Sequence, residues 1–411
     1  MTRRVFLTGI GMAAPTGIGH EPFWQALLSG VSPIAPLTRF DASTYACQIA
    51  GQVDDALVDA LVDERTLRTT SHVSRLALVA ADDALRDARL PIGTYADDGL
   101  GVTCGTALGG WIDGERQYGI LLERGARRIN PFLASGACNH APGAEVATAI
   151  GARGAQFTFS VGCPSSLQAI GQAARLIAEG SLDACVAGGT ESPLSPMVLA
   201  SLARTKALST ENESPARACR PFDVTRSGMV LSEGSCFLLL ESAESARQRG
   251  ATAYAEILGS ASSCDANGMY GLDESGTTGG RTVHRLLAAS AIAPTELDYV
   301  CAHANGSPDF DRKEAMVLHQ AMGEAAARIP VSSIKGVLGH PIGAAGAFQV
   351  AAVALAMRHG LIPRTANLTS PDARCAVRHV MSTEPSPLRN ALVTSYGYGG
   401  INAFLLLGRP R

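Results

Sequence analysis

The chain has no excess of positive charge. Across 411 residues, 34 Lys and Arg face 37 Asp and Glu, for a formal net charge of −3. A nucleic-acid binder usually carries a basic excess, so that class is excluded. Paired cysteines are also missing. The 10 cysteines are scattered singly, with no CxxC. They read as reduced, mostly buried thiols of a cytosolic protein, and a disulfide frame is excluded. Long apolar runs are absent, since no stretch approaches the ~20 residues of a membrane span. The N-terminal Met1-Thr2-Arg3-Arg4-Val5-Phe6-Leu7-Thr8-Gly9 turns glycine-rich too soon for a secretory signal. These absences describe a cytoplasmic chain without nucleic-acid or membrane partners. Lysine is scarce as well: only Lys206, Lys313 and Lys335 occur, a bias of the sort genome composition sets.

Apolar residues are plentiful at 46%, against 17% charged, so a large core is possible in one domain or two fused ones. Short β-branched runs alternate with alanine-rich stretches. Val5–Gly9, Gly101–Cys104, Phe157–Val161, Ala184–Gly188 and Phe237–Leu240 read as buried strands. Ser74–Arg89, Pro164–Glu179 and Arg281–Ala291 read as helices. A second series begins near Ala253, with strands at Ala255–Gly259, Tyr299–Ala302, Ile329–Ser333 and Leu392–Ser395. Helices are expected at Glu314–Met322 and Gly346–Arg358. The pattern predicts α/β layering in two halves, 1–252 and 253–411, alike in element order. Thr205–Arg220 reads as a polar surface loop.

Three residues stand out against this background. Cys163, in Val161-Gly162-Cys163-Pro164-Ser165-Ser166, follows a strand and precedes a helix. Proline suits the first helical position, which places Cys163 at the N-cap. There the helix dipole favours a thiolate. His303 ends a strand in Ala302-His303-Ala304-Asn305-Gly306-Ser307-Pro308, with Asp311 and Glu314 at helical spacing behind it. His340 lies in Gly339-His340-Pro341-Ile342-Gly343-Ala344-Ala345-Gly346. A thiol with two imidazoles can hold an acyl group and manage the charge of a second reaction on it. His20, His72, His140, His284, His319, His359 and His379 read as ordinary surface or packed residues. Lys335, five residues before His340, reads by spacing alone as a solvated charge. The last loop, Ser395-Tyr396-Gly397-Tyr398-Gly399-Gly400-Ile401-Asn402, offers N–H groups to an oxyanion hole or is a simple hairpin.

Taken together these loops resemble the elongating β-ketoacyl-acyl-carrier-protein synthases, including the ketosynthases of dissociated polyketide systems. Leu7-Thr8-Gly9-Ile10-Gly11, Thr38-Arg39-Phe40-Asp41 and Arg220-Pro221-Phe222-Asp223 extend the resemblance over nearly the whole chain. It implies a thiolase-like fold of five layers, αβαβα, with two pseudo-symmetric halves. It implies a decarboxylative condensation of a Cys163-bound acyl group with malonyl-acyl carrier protein. His303 and His340 would assist decarboxylation and stabilise the enolate. Lys335 and Glu314 would orient His303. The N–H groups of Cys163 and Tyr398 would form the oxyanion hole, with Tyr396 and Tyr398 in the gating loop. Asn305 and Ser307 would hold the phosphopantetheine arm. Leu108, Phe132, Leu133 and Leu202 would line the acyl tunnel, the middle two reaching across a dimer interface. Arg65, Arg68, Arg127, Arg128 and Lys206 would receive an acidic carrier. No cofactor and no metal are implied, because substrates arrive on the carrier.

Several positions depart from the family pattern. Pro164 follows the cysteine where alanine or threonine is usual. Tyr396 and Tyr398 replace two phenylalanines, His-Ala-Asn-Gly-Ser replaces His-Gly-Thr-Gly-Thr, and Ser232 replaces a glycine. They favour a specialised polyketide pathway over housekeeping fatty-acid elongation. A thiolase would need a second cysteine in the last loop, and starter-type synthases an asparagine for His340. A non-catalytic chain-length factor would lack Cys163. The chain is expected to pair with itself or with such a factor.

Overall fold

Ten residues, Val5–Ala14, form strand β1, and all ten are buried. Such a run, with apolar side chains on both faces, belongs between two covering layers. The structure is a computed structural model that describes residues 3–95 and 98–410. Met1, Thr2 and Arg411, the outer ends of the two expected halves, lie outside the described residues.

The first half continues with helix α1 (His72–Asp87), β2 (Leu100–Gly105), α2 (Trp111–Arg124), β3 (Gln156–Phe159), α3 (Ser165–Ala178), β4 (Ala184–Glu191), α4 (Pro196–Arg204) and β5 (Gly234–Ser242). The second half holds β6 (Ala255–Cys264), α5 (Thr277–Ala289), β7 (Tyr299–Cys301), α6 (Pro308–Met322), β8 (Pro330–Ser332), α7 (Ala345–His359), β9 (Arg378–His379), β10 (Asn390–Gly397) and β11 (Ile401–Gly408). The long sheet runs β9-β8-β7-β10-β11-β6-β1-β5-β4-β2-β3, with the short strand Gly17–Ile18 beside β1.

This order contains one motif twice. In the first half β3-β2-β4 is parallel and β5 and β1 follow antiparallel. In the second half β8-β7-β10 is parallel and β11 and β6 follow antiparallel. The halves meet where Val5, Phe6 and Leu7 of β1 pair antiparallel with Ile257, Glu256 and Ala255 of β6. Helices α3 and α7 pack on each other and on strands of both halves, which makes them the middle layer. Helix α1 covers β1 and β5 outside one half, and α5 with α6 covers the other. The result is the expected five-layered α/β fold.

Helix α7 carries apolar residues all round, which is why it sits at the centre. The helical stretch Ile342–His359 is long and apolar enough to cross a membrane, contrary to the sequence reading, yet it is 83% buried inside the protein. Its apolar surface is spent on the core. The expected surface loop Thr205–Arg220 is also corrected. Ala207, Leu208, Ser209, Ala218 and Cys219 are buried within it, and Pro215–Ala218 is helical.

Candidate active site

Strand β3 delivers the chain to Gly162, whose φ of 71° makes the sharp turn a side chain would resist. Ser165 Oγ locks that turn, accepting from Val161 N at 2.9 Å and donating to Gly162 O at 2.6 Å. Pro164, not Cys163, is the N-cap of α3, because Gln168 N bonds Pro164 O at 3.0 Å. Cys163 therefore lies one residue outside the helix. Desolvation by burial pushes its thiol up to about 12, and the nearby Lys335 charge opposes this only in part. The resting group is a thiol, contrary to the thiolate the helix dipole suggested.

His340 Nε2 stands 3.1 Å from Cys163 Sγ. The His340 backbone is pinned to the neighbouring strip through Val230 O at 2.8 Å and Ser232 N at 3.1 Å. The His303 ring lies 5.2 Å from the His340 ring, perpendicular to it. Both imidazoles are fully buried. Burial first, and then the Lys335 charge, hold both well below the usual histidine range. At neutral pH each ring is neutral and keeps one N–H donor and one acceptor nitrogen. His303 Nδ1 and Nε2 and His340 Nδ1 have no protein partner. Cys163 Sγ and one ring nitrogen from each histidine lie within 4.8 Å of one another, a set that could also hold a soft metal ion.

Lys335 is buried, not the solvated charge its spacing suggested, and its Nζ donates to the His303 carbonyl. Glu314 accepts from His303 N at 2.9 Å, from Ala304 N at 2.7 Å and from the Thr394 hydroxyl. Burial raises the Glu314 carboxyl to about 7. Asp311 accepts from Asn305 N at 2.9 Å and Gly306 N at 3.2 Å. The His303 loop is thus held from below by one cation and two carboxyls.

The last loop is a hairpin turn between β10 and β11, with Gly397 opposite Ile401. It also reaches the cysteine. A Cβ on Gly397 would lie 2.8 Å from Pro164 Cδ and 3.5 Å from Cys163 N. Tyr396 is fully buried, its ring edge-on to His303 at 5.7 Å, with the Lys313 ammonium 5.1 Å from its centroid. Tyr398 is half-buried and joins Phe310 and Tyr270 at 5.5 Å each.

Asn305 is buried, and its Oδ1 accepts from Ser307 N at 2.9 Å; Ser307 is half-buried as the N-cap of α6. Leu108 and Leu202 pack with Ile342 against one apolar cluster. Phe132 and Leu133 do not join them, and line a separate hollow with Arg68. Arg65 and Arg68 are exposed on the helix Glu64–Thr69, and Arg68 pairs with Glu64 at 3.3 Å. Arg127 and Arg128 are exposed on a separate turn. Lys206 is exposed beyond α4, where it lines a third hollow.

Sequence reasoning missed Glu191. This buried carboxyl ends β4 and accepts from Ala107 N at 2.7 Å, Leu108 N at 3.1 Å and Gly343 N at 2.9 Å. It ties the Leu108 loop to the His340 loop. An acid closing a fully buried strand in Gly188-Gly189-Thr190-Glu191 was the available signal. Gln349 was missed too. Its Nε2 donates to Cys301 O, Ala302 O and Thr394 O, which fixes the strand end carrying His303.

Residues 2–246 match the beta-ketoacyl synthase N-terminal domain, and residues 254–369 match the beta-ketoacyl synthase C-terminal domain. A putative polyketide beta-ketoacyl synthase 1 of Streptomyces halstedii is 37% identical, covering 100% of this chain and 99% of that protein. The 3-oxoacyl-[acyl-carrier-protein] synthase 2 of Coxiella burnetii is also 37% identical, covering 99% of each. Among solved structures, a type II polyketide acyl-carrier protein in complex with its ketosynthase bound to the hexaketide superposes with a TM-score of 0.89 at 30% identity, covering 100% of both chains. The ishigamide ketosynthase/chain length factor gives a TM-score of 0.93 at 28% identity, again covering 100% of both.

Proposed function

The chain belongs to the β-ketoacyl synthase family, and from that premise we propose that it joins an acyl group on Cys163 to malonyl-acyl carrier protein in a type II polyketide pathway. The observation that carries the reading is the thiol beside two neutral imidazoles. Cys163 attacks the acyl thioester of the carrier. Its proton passes through His340 Nε2 to the departing pantetheine sulfur. A malonyl thioester then loses carbon dioxide as its bond to the carboxylate breaks. The enolate oxygen accepts an N–H bond from each of His303 and His340, because a neutral ring keeps one N–H donor. The enolate carbon attacks the acyl carbonyl, and the Cys163 sulfur leaves as a thiolate and takes a proton from solvent water by way of His340 Nε2. The N–H groups of Cys163 and Tyr398 receive the oxyanion, Asn305 and Ser307 hold the arm, and no bound cofactor takes part.

The carrier docks through Arg65, Arg68, Arg127, Arg128 and Lys206, all exposed. The second subunit is another copy or a chain-length-factor-like protein. Edge strand β3 supports this pairing: it ends the sheet with Phe157 exposed, and Trp111, Leu122 and Phe132 are also exposed apolar residues. The cytoplasm is the proposed compartment. Fatty-acid elongation is the second reading, favoured by the equally similar Coxiella synthase. Incubation with acyl- and malonyl-carrier proteins tests both. The expected result is a β-ketoacyl carrier with one carbon dioxide per turn. A product that extends repeatedly without reduction supports the polyketide pathway. Extension only after reduction of each ketone supports the fatty-acid pathway.

A further inference from the structure

Two loops from different halves of the chain end on one carboxylate. Glu191, fully buried at the end of β4, accepts two hydrogen bonds on each oxygen. Its Oε1 takes Leu108 N and the Thr106 hydroxyl at 3.1 Å each. Its Oε2 takes Ala107 N at 2.7 Å and Gly343 N at 2.9 Å, and so bridges the two loops. Hydrogen bonds to an ionised acceptor are the strong ones. Gly343 lies three residues beyond His340, and Ile342 between them has a φ of 27°. A β-branched residue rarely takes that conformation, and it persists only where its surroundings hold it firmly. On one side His340 N and O are pinned to Val230 and Ser232. On the other, Glu191 Oε2 holds Gly343 N. A Cβ on Gly343 would lie 2.5 Å from that oxygen and 2.6 Å from Ala107 N, so the contact has no slack.

We propose that Glu191 is a positioning residue of acyl transfer, holding His340 Nε2 within reach of Cys163 Sγ through its bridge to Gly343. The inference rests on the function proposed above and names a residue that serves it without touching substrate. The Cys163 proton has 3.1 Å to cross to His340 Nε2, so a small shift of the His340 loop breaks the transfer. A carboxylate fixed to β4 gives that loop a rigid reference in the half that carries Cys163. An amide in its place does part of the same. Its oxygen faces Ala107 N and Gly343 N, its NH2 donates to the Thr106 hydroxyl, and only Leu108 N loses its acceptor. A methyl group does none of this. The charge of Glu191 acts in the opposite direction. Burial raises the Cys163 thiol, Lys335 opposes the rise, and Glu191 adds to it. Removing the carboxylate therefore eases ionisation of the thiol while it frees the histidine.

The test compares two reactions of Cys163 at one pH: acetyl transfer from an acetyl-carrier protein, and alkylation by iodoacetamide. Glu191→Ala should lower the transfer rate at saturating carrier by roughly a hundredfold. The half-saturating carrier concentration should stay unchanged, and alkylation should be as fast or faster. Glu191→Gln should recover most of the transfer rate. If Glu191→Ala fails to fold, Gly343→Ala takes its place, since its Cβ forces the loop off the carboxylate with the charge intact. Transfer at the unaltered rate in Glu191→Ala, or in Gly343→Ala where that variant stands in, overturns the proposal. Equal loss in Glu191→Ala and Glu191→Gln also overturns it, because the charge and not the bridge would then be the operative feature. Alkylation that falls in step with transfer overturns it too, as the mark of a collapsed site. If the unaltered protein takes up no acetyl although iodoacetamide reaches Cys163, the proposed function itself falls, and the assignment of Glu191 with it.

Discussion

At Cys163 two influences oppose each other. A helix N-terminus and the Lys335 charge favour a thiolate, while desolvation favours the thiol, and desolvation wins at about 12. The sign of the pH dependence follows. Because the thiol titrates far above neutrality, the thiolate fraction grows tenfold with each pH unit across the working range. Alkylation of Cys163 by iodoacetamide should therefore rise log-linearly to about pH 10, the region well below that titration. A plateau near neutrality would show a preformed thiolate and contradict the burial argument. Cys163, His303 and His340 were legible because each sits in a distinctive glycine-rich loop. Lys335 was half-legible. The family resemblance pointed to His303, but spacing alone could not show that the His303 carbonyl and the charge of the Glu314 carboxyl would hold an ammonium in the core.

Elements were read well where their apolar pattern was continuous and poorly where it was interrupted. The expected strand Val5–Gly9 extends to Ala14 because Gly9 and Gly11 keep it under α1. Strand β11 was given no bounds of its own, although the hairpin reading of the loop before Ile401 implied a returning strand. The Thr205–Arg220 segment misled by its polar composition, although Cys219 Sγ donates to the Asn305 carbonyl of the His303 loop and Ser209 is fully buried. The β10–β11 hairpin is the element with the sharpest consequence. Gly397 leaves no room for a side chain beside Pro164. Gly397→Ala should push the turn away from Cys163 N and slow acyl transfer at least tenfold, with a melting temperature within a few degrees of the unaltered protein. Stopped-flow acylation with thermal denaturation checks this. Unchanged acylation would mean the turn has no part in holding the oxyanion.

On the scale of the whole molecule, the repeated strand motif brings together residues far apart in sequence. Cys163 comes from the first half, His303 and His340 from the second, and they meet beside the central helices. Order of elements revealed the two halves. Charge also acts at this scale. The chain is slightly acidic overall, so an acidic carrier must find local basic groups. Reversing Arg68 and Lys206 together should raise the apparent KM for carrier-bound substrate, most at low salt, and leave a pantetheine-thioester mimic nearly unaffected. Equal loss with both substrates would place the damage in the fold or the active site.

The central claim is that one cysteine takes the acyl group and two histidines serve the step that follows. Intact-mass analysis of single turnovers by His303→Ala tests it most directly. With acyl-carrier and then malonyl-carrier protein, the account predicts an acyl adduct on Cys163 that forms readily and persists. An adduct that discharges into β-ketoacyl product at the unaltered rate, or one that never forms, would contradict it.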